Sequence, residues 1–395
     1  MSGESIRYDA TRIQVLEGWE AIRRRPGMYV GSTGERGLHQ LVFEVVDRAV
    51  NEVLAGRACS VDVTLTPDGC VRVADDGPGV PVEAAGDTDV PGLEAMLTSM
   101  RAGRNPRGRH AVAMGLFGAG LCVTNALSRR LTAEVRREGV RWVQDYERGV
   151  AVAPAGTASG SGTVIAFRPD ADIFDTVDCS FDALAERFRE LAFLNRGLVI
   201  SLTDQRPQGG SRSVRLQFPG GARDFLAFLV ARAGKAEGKA EAPVHPDVIG
   251  FEREDPRMAG TVEVALRWYY SPGERVRSFA NSSPTPCGGT HETGFRDGVA
   301  AALSAFARER QLLEAADADV GADRIGGGLT AIVSVKLDCP EFEGATRGVL
   351  GGGAVRACVA EAVRAHLGTW LEEHPERAMA VVSRITGLTK KGCAG

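Results

Sequence analysis

Between residues 38 and 55 apolar side chains recur in steps of three and four. Phe43, Val46, Val50 and Val53/Leu54 form one stripe of a predicted amphipathic helix. Glu44 and Arg48 stand one turn apart on another face of it. The period then shortens to two. In "SVDVTLTPDGCVRVADDGPGVP", Val61, Val63 and Leu65 and then Val71 and Val73 predict two strands around the "PDG" turn, running into a glycine-rich loop. Upstream, the arm is followed by a short predicted helix, "LEGWEAIRRR", stopped at Pro26-Gly27. Residues 93–100 have helical spacing, whereas 101–114 are polar, basic and glycine-containing and read as a loop or lid. "GLFGAGLCVTNALSRR" predicts a glycine loop entering a helix, and "LTAEVRREGVRWVQDYERG" a hairpin turning at "REG". "GSGTVIAFRPD" is a further strand, and "SFDALAERFRELAFLNRG" a helix with Ser180 as its N-cap.

At 204–223 the composition shifts to Gly, Pro, Gln and Arg, which marks a domain boundary. Beyond it "GTVEVALRWYY" and "GGLTAIVSVKL" alternate like strands. "TGFRDGVAAALSAFARERQLLEAA" and "GAVRACVAEAVRAHLGTWLEEH" have helical steps, so the pattern predicts an α/β second domain. The tail after 376 is expected to fray.

At 395 residues, with 44% hydrophobic and 25% charged, the chain can build two or three domains. It contains no apolar run near the length of about 18 residues that spans a bilayer, and its first residues lack a signal-peptide core. A cytoplasmic location is therefore expected. The eight cysteines are scattered without a CxxC pair, which excludes a zinc ribbon and predicts buried free thiols. A net charge of −4 argues against a general nucleic-acid surface, and the basic runs "IRRRPG" and "RAGRNPRGRH" read as solvated faces.

Three glycine-bearing elements share the first domain: "DDGPG" at 75–79, "GLFGAG" at 115–120 and "GT" at 162–163. Each alone is an ordinary turn, but together they make a site. A strand ending in Asp75 aims a carboxylate at an exocyclic amine, while Gly77 and Gly79 let a purine lie against bare backbone. "GLFGAGLCVTNAL" puts unhindered N–H groups at a helix start, where phosphate is favoured. Glu44 on the preceding helix can orient water at a terminal phosphate as general base. No GxxxxGK[ST] run occurs, so this is not a P-loop protein.

The order of Glu44 helix, "DDGPGVP", "GLFGAG" and "GT" resembles the ATP site shared by gyrase B, heat-shock chaperone ATPases, mismatch-repair ATPases and histidine kinases. "EAIRRRPGMYVGST", "LVFEVVDRAVNEVLAG", "LAFLNRG", "GGTHETGF" and "GGLTAIVSVKL" narrow the resemblance to the gyrase B and topoisomerase IV B proteins, from about residue 8 to 375. It implies an α+β protein: an arm (1–20), a GHKL (Bergerat) ATP-binding sandwich (21–215) and a ribosomal-protein-S5-like transducer (221–395), with the DNA-cleaving Toprim domain absent. It further implies that Asp75 binds adenine with Thr163, Gly77 and Gly79 around it. Gly115, Leu116, Phe117, Gly118, Ala119, Gly120 and Leu121 would wrap the triphosphate, with Glu44 as general base. Tyr8 and Ile13 would lie on an arm that reaches a partner protomer's nucleotide, implying a homodimer, and "PEFEGATRGVLG" would sense the terminal phosphate. ATP and Mg2+ are the implied cofactors; DNA and a gyrase A-like protein are the implied partners, although the net charge does not favour them.

This chain departs from that family at several places. Arg48 stands where the family has an asparagine that helps hold magnesium, and an arginine has no acceptor for a metal. It is expected either to pair with Glu44 and lower its pKa or to bring to the phosphates the charge that magnesium brings; the plain alternative is a surface ion pair. Ala-Thr-Arg at 345–347 replaces Gln-Thr-Lys, leaving Arg347 a charge contact only. Phe117 replaces a histidine, Asn105 stands near the usual lid lysine, and Val143 replaces an arginine that borders the coumarin pocket. Asp317, Asp319 and Asp323 read as solvated acids. The initiator Met and untagged tail favour a naturally short chain. Three functions are compatible with these residues: a topoisomerase-type ATPase module unable to cleave DNA itself, a repurposed enzyme using ATP on a small molecule, or a non-hydrolysing nucleotide- or inhibitor-binding regulator or resistance protein.

Overall fold

The computed structural model describes residues 18–82, 92–100, 108–109, 111–112, 114, 120–154, 161–206, 210–238, 241–313, 319–321, 324–344 and 347–386. Helices α1 (Gly18–Arg24), α2 (Gly27–Val30) and α3 (Glu35–Leu54) open the chain. Strands β1 (Val61–Leu65) and β2 (Val71–Asp75) follow, then α4 (Leu93–Thr98) and α5 (Leu121–Ala126). Next come β3 (Ser128–Arg137), β4 (Val140–Glu147), β5 (Val150–Pro154), β6 (Gly162–Pro169), α6 (Phe181–Leu194), β7 (Ile200–Asp204) and β8 (Arg212–Leu216). These strands form one eight-stranded sheet in the order β5-β4-β3-β6-β2-β1-β7-β8, antiparallel except between β1 and β7.

The hairpins obey their turn chemistry. Between β3 and β4, Glu138 (φ 53°) and Gly139 (φ 78°) both take positive φ, as a tight two-residue hairpin demands. Helix α6 starts where Ser180 accepts the Ala183 amide proton at 3.3 Å. Helix α3 is buried more widely than one stripe: Leu38, Leu41, Val42, Val45, Val46, Ala49 and Val50 are all sealed, with Phe43, Val53 and Leu54 at the margin. It packs against both the sheet and α5, which is why it is apolar on more than one face.

The second half holds α7 (Ala222–Glu237), β9 (Ile249–Asp255), a 3-10 turn (Pro256–Met258), β10 (Gly260–Trp268), β11 (Arg275–Ala280), β12 (Ser283–Pro284) and α8 (Thr290–Glu309). It is completed by β13 (Leu329–Leu337), β14 (Phe342–Glu343), β15 (Val349–Leu350), α9 (Gly353–Glu373) and α10 (Pro375–Thr386). A five-stranded sheet runs β12-β11-β13-β10-β9, and β14 and β15 pair separately. Strand β13 is covered on both faces: Leu329, Ala331, Val333, Val335 and Leu337 pack with α8 and α9, and Ile332 packs with Phe225 and Leu226 of α7. That double burial accounts for its nearly unbroken apolar run.

Several sequence expectations change. The tail does not fray at 376: α10 buries Ala378, Val381 and Val382 against the second core, and only 387–395 of it lie outside the described residues. Strand β3 begins at Ser128, so "LSRR" is not helical, and β5 is an added edge strand. Cys122, Cys179 and Cys358 are buried free thiols, but Cys59, Cys287 and Cys339 are exposed. Asp319 is ion-paired with Arg308 at 2.8 Å, while Asp317 and Asp323 lie outside the described residues. Among the described residues no helix is long and apolar enough to cross a membrane.

The sheets meet through side chains from α6 and the strand ends. Asn195 accepts from Lys336 Nζ at 3.1 Å and donates to Ser282 Oγ at 3.0 Å. Glu190 pairs with Arg277 at 2.5 Å, and Phe193 stacks on Phe225 with ring centroids 4.7 Å apart.

Candidate nucleotide site

Glu44, Asp47 and Asn51 occupy one face of α3 at helical spacing and are nearly or fully buried, at 4%, 0% and 6% exposure. Each accepts a backbone amide from a residue that lies between α4 and α5 in the chain. Glu44 Oε2 accepts the Gly120 amide at 3.0 Å, Asp47 Oδ2 the Met114 amide at 2.7 Å, and Asn51 Oδ1 the Val112 amide at 2.8 Å. The Asn51 amide also donates to the Val112 carbonyl at 3.0 Å. Three consecutive turns of α3 therefore hold Val112, Met114 and Gly120, which precede α5 in the chain.

Burial pushes the Glu44 carboxyl up from its ordinary value of 4.5 to about 7, against the opposing pull of the Gly120 N–H and the Arg347 charge. This corrects the expectation that Arg48 lowers it. Arg48 does not pair with Glu44: its Nη2 donates to Asp75 Oδ2 instead, with the two side chains 10% and 1% exposed. Nor is the pair a surface one. One helical turn carries Arg48 away from Gly120 and toward the end of β2, where it meets the Asp75 carboxylate. The Arg48 Nε and Nη1 groups are buried and unpartnered among the described residues.

Asp75 ends β2 directly opposite Thr163 of β6. Its Oδ1 accepts the Gly77 amide at 3.0 Å, and Thr163 Oγ1 accepts the Val80 amide at 3.1 Å. The loop between is pinned at its start, where Asp76 Oδ1 accepts the Cys59 and Ser60 amides at 2.7 and 3.0 Å. Two glycines are required here. Gly79 has φ 82°, and a Cβ on it would stand 2.7 Å from the Arg136 carbonyl oxygen. Gly162 has φ 121°, and its Cβ would stand 2.4 Å from the Asp75 carbonyl oxygen.

In the second half of the chain, Arg347 stands between the separately paired β14 and β15 at φ 54°, with its guanidinium 5.9 Å from the Phe342 ring centroid. Its positive charge acts on the Glu44 carboxyl, lowering its pKa against the larger effect of burial. Arg109, inside the stretch 101–114 read from sequence as a loop or lid, forms a bidentate pair with Asp338 at 2.9 Å and a further contact to Glu254 at 2.5 Å, which fastens this residue to the second sheet.

The structure thus brings Glu44, Arg48, Asp75, Gly77, Gly79, Gly120, Leu121, Thr163 and Arg347 around one region. Gly115, Leu116, Phe117, Gly118 and Ala119, with Tyr8, Ile13, Asn105, Ala345 and Thr346, lie outside the described residues. Val143 sits in β4 opposite Glu134. Sequence reasoning missed Asp47, Asn51 and Arg109, whereas Gly162 lay in the "GT" element it singled out. For the first two a signal existed: polar residues three and seven positions after Glu44 in a helix otherwise apolar on that side. Among the described residues no group of His, Cys, Asp and Glu is arranged to hold a metal.

Two families match this chain: "Histidine kinase-, DNA gyrase B-, and HSP90-like ATPase" over residues 33–173 and "DNA gyrase B" over residues 221–392. The chain is 44% identical over 399 residues to the DNA gyrase B protein of Streptomyces coelicolor, covering 96% of this chain and 57% of that relative. It is 42% identical over 394 residues to the novobiocin-resistant DNA gyrase B protein of Streptomyces niveus, covering 95% of this chain and 57% of the relative. The chain therefore spans less than two thirds of the length of these curated relatives. Among solved structures, the 43K ATPase domain of Thermus thermophilus gyrase B, in complex with an aminocoumarin, superposes with a TM-score of 0.76 at 30% identity, covering 94% of each chain.

Proposed function

Since the chain belongs to the DNA gyrase B family, an α+β architecture of GHKL ATPase sandwich and transducer, we propose that it binds ATP between α3, the end of β2 and the start of α5, and hydrolyses it with Glu44 as general base. The observation that carries this reading is Glu44 itself. A carboxylate sealed from water, held on a backbone amide and poised at about 7, is matched to taking a proton at neutral pH. Water attacks the terminal phosphorus, the bond from that phosphorus to the bridging oxygen breaks, ADP leaves, and the proton of the attacking water passes to Glu44.

In this reading adenine docks on Asp75 beside Thr163, Gly77 and Gly79, the segment 115–121 wraps the triphosphate, and Arg347 neutralises charge from between β14 and β15. Residues 21–215 serve as the nucleotide-binding unit and 221–395 as the transducer, with the arm carrying Tyr8 and Ile13 reaching a second copy. Family relatives use Mg2+ with ATP. At Arg48 this chain offers only donors, so that position does not fit a metal ligand. ATP binding is accordingly expected to depend weakly on magnesium; strict dependence, measured by titration calorimetry with and without chelator, would contradict this.

A second reading, a nucleotide or inhibitor holder without turnover, is favoured by one observation: the carboxylate meant for adenine is already paired with Arg48. ADP release by the purified protein, compared with Glu44→Ala, separates the two. Turnover lost in the variant supports hydrolysis by Glu44; turnover unchanged in the variant removes Glu44 from the chemistry; no turnover in either supports the holder.

A further inference from the structure

The Arg48–Asp75 pair joins two residues that both face the proposed nucleotide, and its geometry has a consequence for what can enter. Asp75 Oδ1 already accepts the Gly77 amide, and Oδ2 accepts from Arg48. A ligand amine that docks on this carboxylate competes directly with the guanidinium. Among the described residues Arg48 has no second counterion to turn to, and its Nε and Nη1 are buried without partners. A guanidinium cannot shed its proton, so its charge stays.

We infer that Arg48 is a specificity residue that admits ligands carrying a phosphate beside the group that docks on Asp75, and rejects uncharged ligands of the same shape. This rests on the reading of the pocket as a nucleotide site. An uncharged nucleoside that takes Asp75 leaves Arg48 buried and unpaired, a penalty on the order of 100-fold in affinity. A nucleotide brings its own replacement, because phosphate oxygens suit the planar guanidinium fork and can engage the two idle donors. The base and phosphate halves of the ligand are thereby coupled through one side chain: phosphate draws Arg48 off Asp75, and Asp75 becomes free for the base.

The test is titration calorimetry with ATP, with adenosine alone, and with adenosine in saturating inorganic pyrophosphate, on the wild-type protein, Arg48→Asn and Arg48→Gln. In the wild type, pyrophosphate is expected to raise adenosine affinity about tenfold or more. In the variants adenosine alone binds at least about tenfold tighter than to wild type, and pyrophosphate adds little. Absence of a pyrophosphate effect in the wild type, or an equal effect in the folded variants, overturns the inference while ATP binding keeps the pocket reading intact. ATP binding to none of the three proteins overturns both. If the variants fail to fold, the wild-type coupling alone decides.

Discussion

Replacing Glu44 by glutamine isolates the energetic consequence of burying that carboxylate. The side chain is 4% exposed, and its pKa rises from 4.5 to about 7 on folding, chiefly through desolvation. At about 1.4 kcal/mol per pH unit of displacement, ionised Glu44 costs the folded state about 3 kcal/mol. The sign follows from the raised pKa: the favourable contribution is full below 4.5 and is lost as pH climbs through about 7. Glutamine keeps a neutral acceptor for the Gly120 amide, as protonated Glu44 does, but never ionises. Glu44→Gln is therefore expected to exceed the wild type by only about 1 kcal/mol at pH 5 and by about 3 kcal/mol at pH 8. Guanidinium unfolding curves at the two pH values measure this, with ATP turnover followed alongside. Turnover should vanish in the variant, and in the wild type it should rise with pH through about 7 as the base deprotonates. A stability difference that stays constant between pH 5 and 8 would refute the argument, because it would mean that Glu44 titrates alike in the folded and unfolded chain.

Three further substitutions probe the surrounding frame. Asp75→Asn removes the counterion of Arg48, whose side chain is 10% exposed, and should cost about 3 kcal/mol in chemical unfolding together with ATP binding in calorimetry. Gly79→Ala forces a side chain into φ 82° and against the Arg136 carbonyl; a loss of about 1–3 kcal/mol is expected, read as a lower Tm. Ser180→Ala deletes the N-cap of α6 and should cost about 1 kcal/mol in the same assay, with ATP affinity unchanged because the cap lies outside the pocket.

Much of the scaffold was written in local pattern. Alternation located β1, β2, β6, β10 and β13, glycine and turn residues located the β3–β4 hairpin, and Ser180 marked the start of α6. These features depend on contacts within a few residues, so a one-dimensional reading reaches them. The tail and β5 escaped for the opposite reason. Helix α10 is stabilised by a core built from α9 and the distant second sheet, and β5 by pairing along an edge.

At the site the division is sharper. The sequence by itself pointed to Glu44, Asp75, Thr163 and the glycines as candidates for one ATP-type constellation, because their order and spacing resemble the family's motifs. It also exposed Arg48 as foreign to the pattern. Which carboxylate Arg48 would meet was decided only in three dimensions. Glu44 is one turn away along α3 and Asp75 is 27 residues away along the chain. Yet Glu44 is drawn to the Gly120 amide while the sheet delivers Asp75 to the guanidinium. The protonation of Glu44 was likewise beyond the sequence, since desolvation depends on everything that packs around a group and not on its neighbours in the chain.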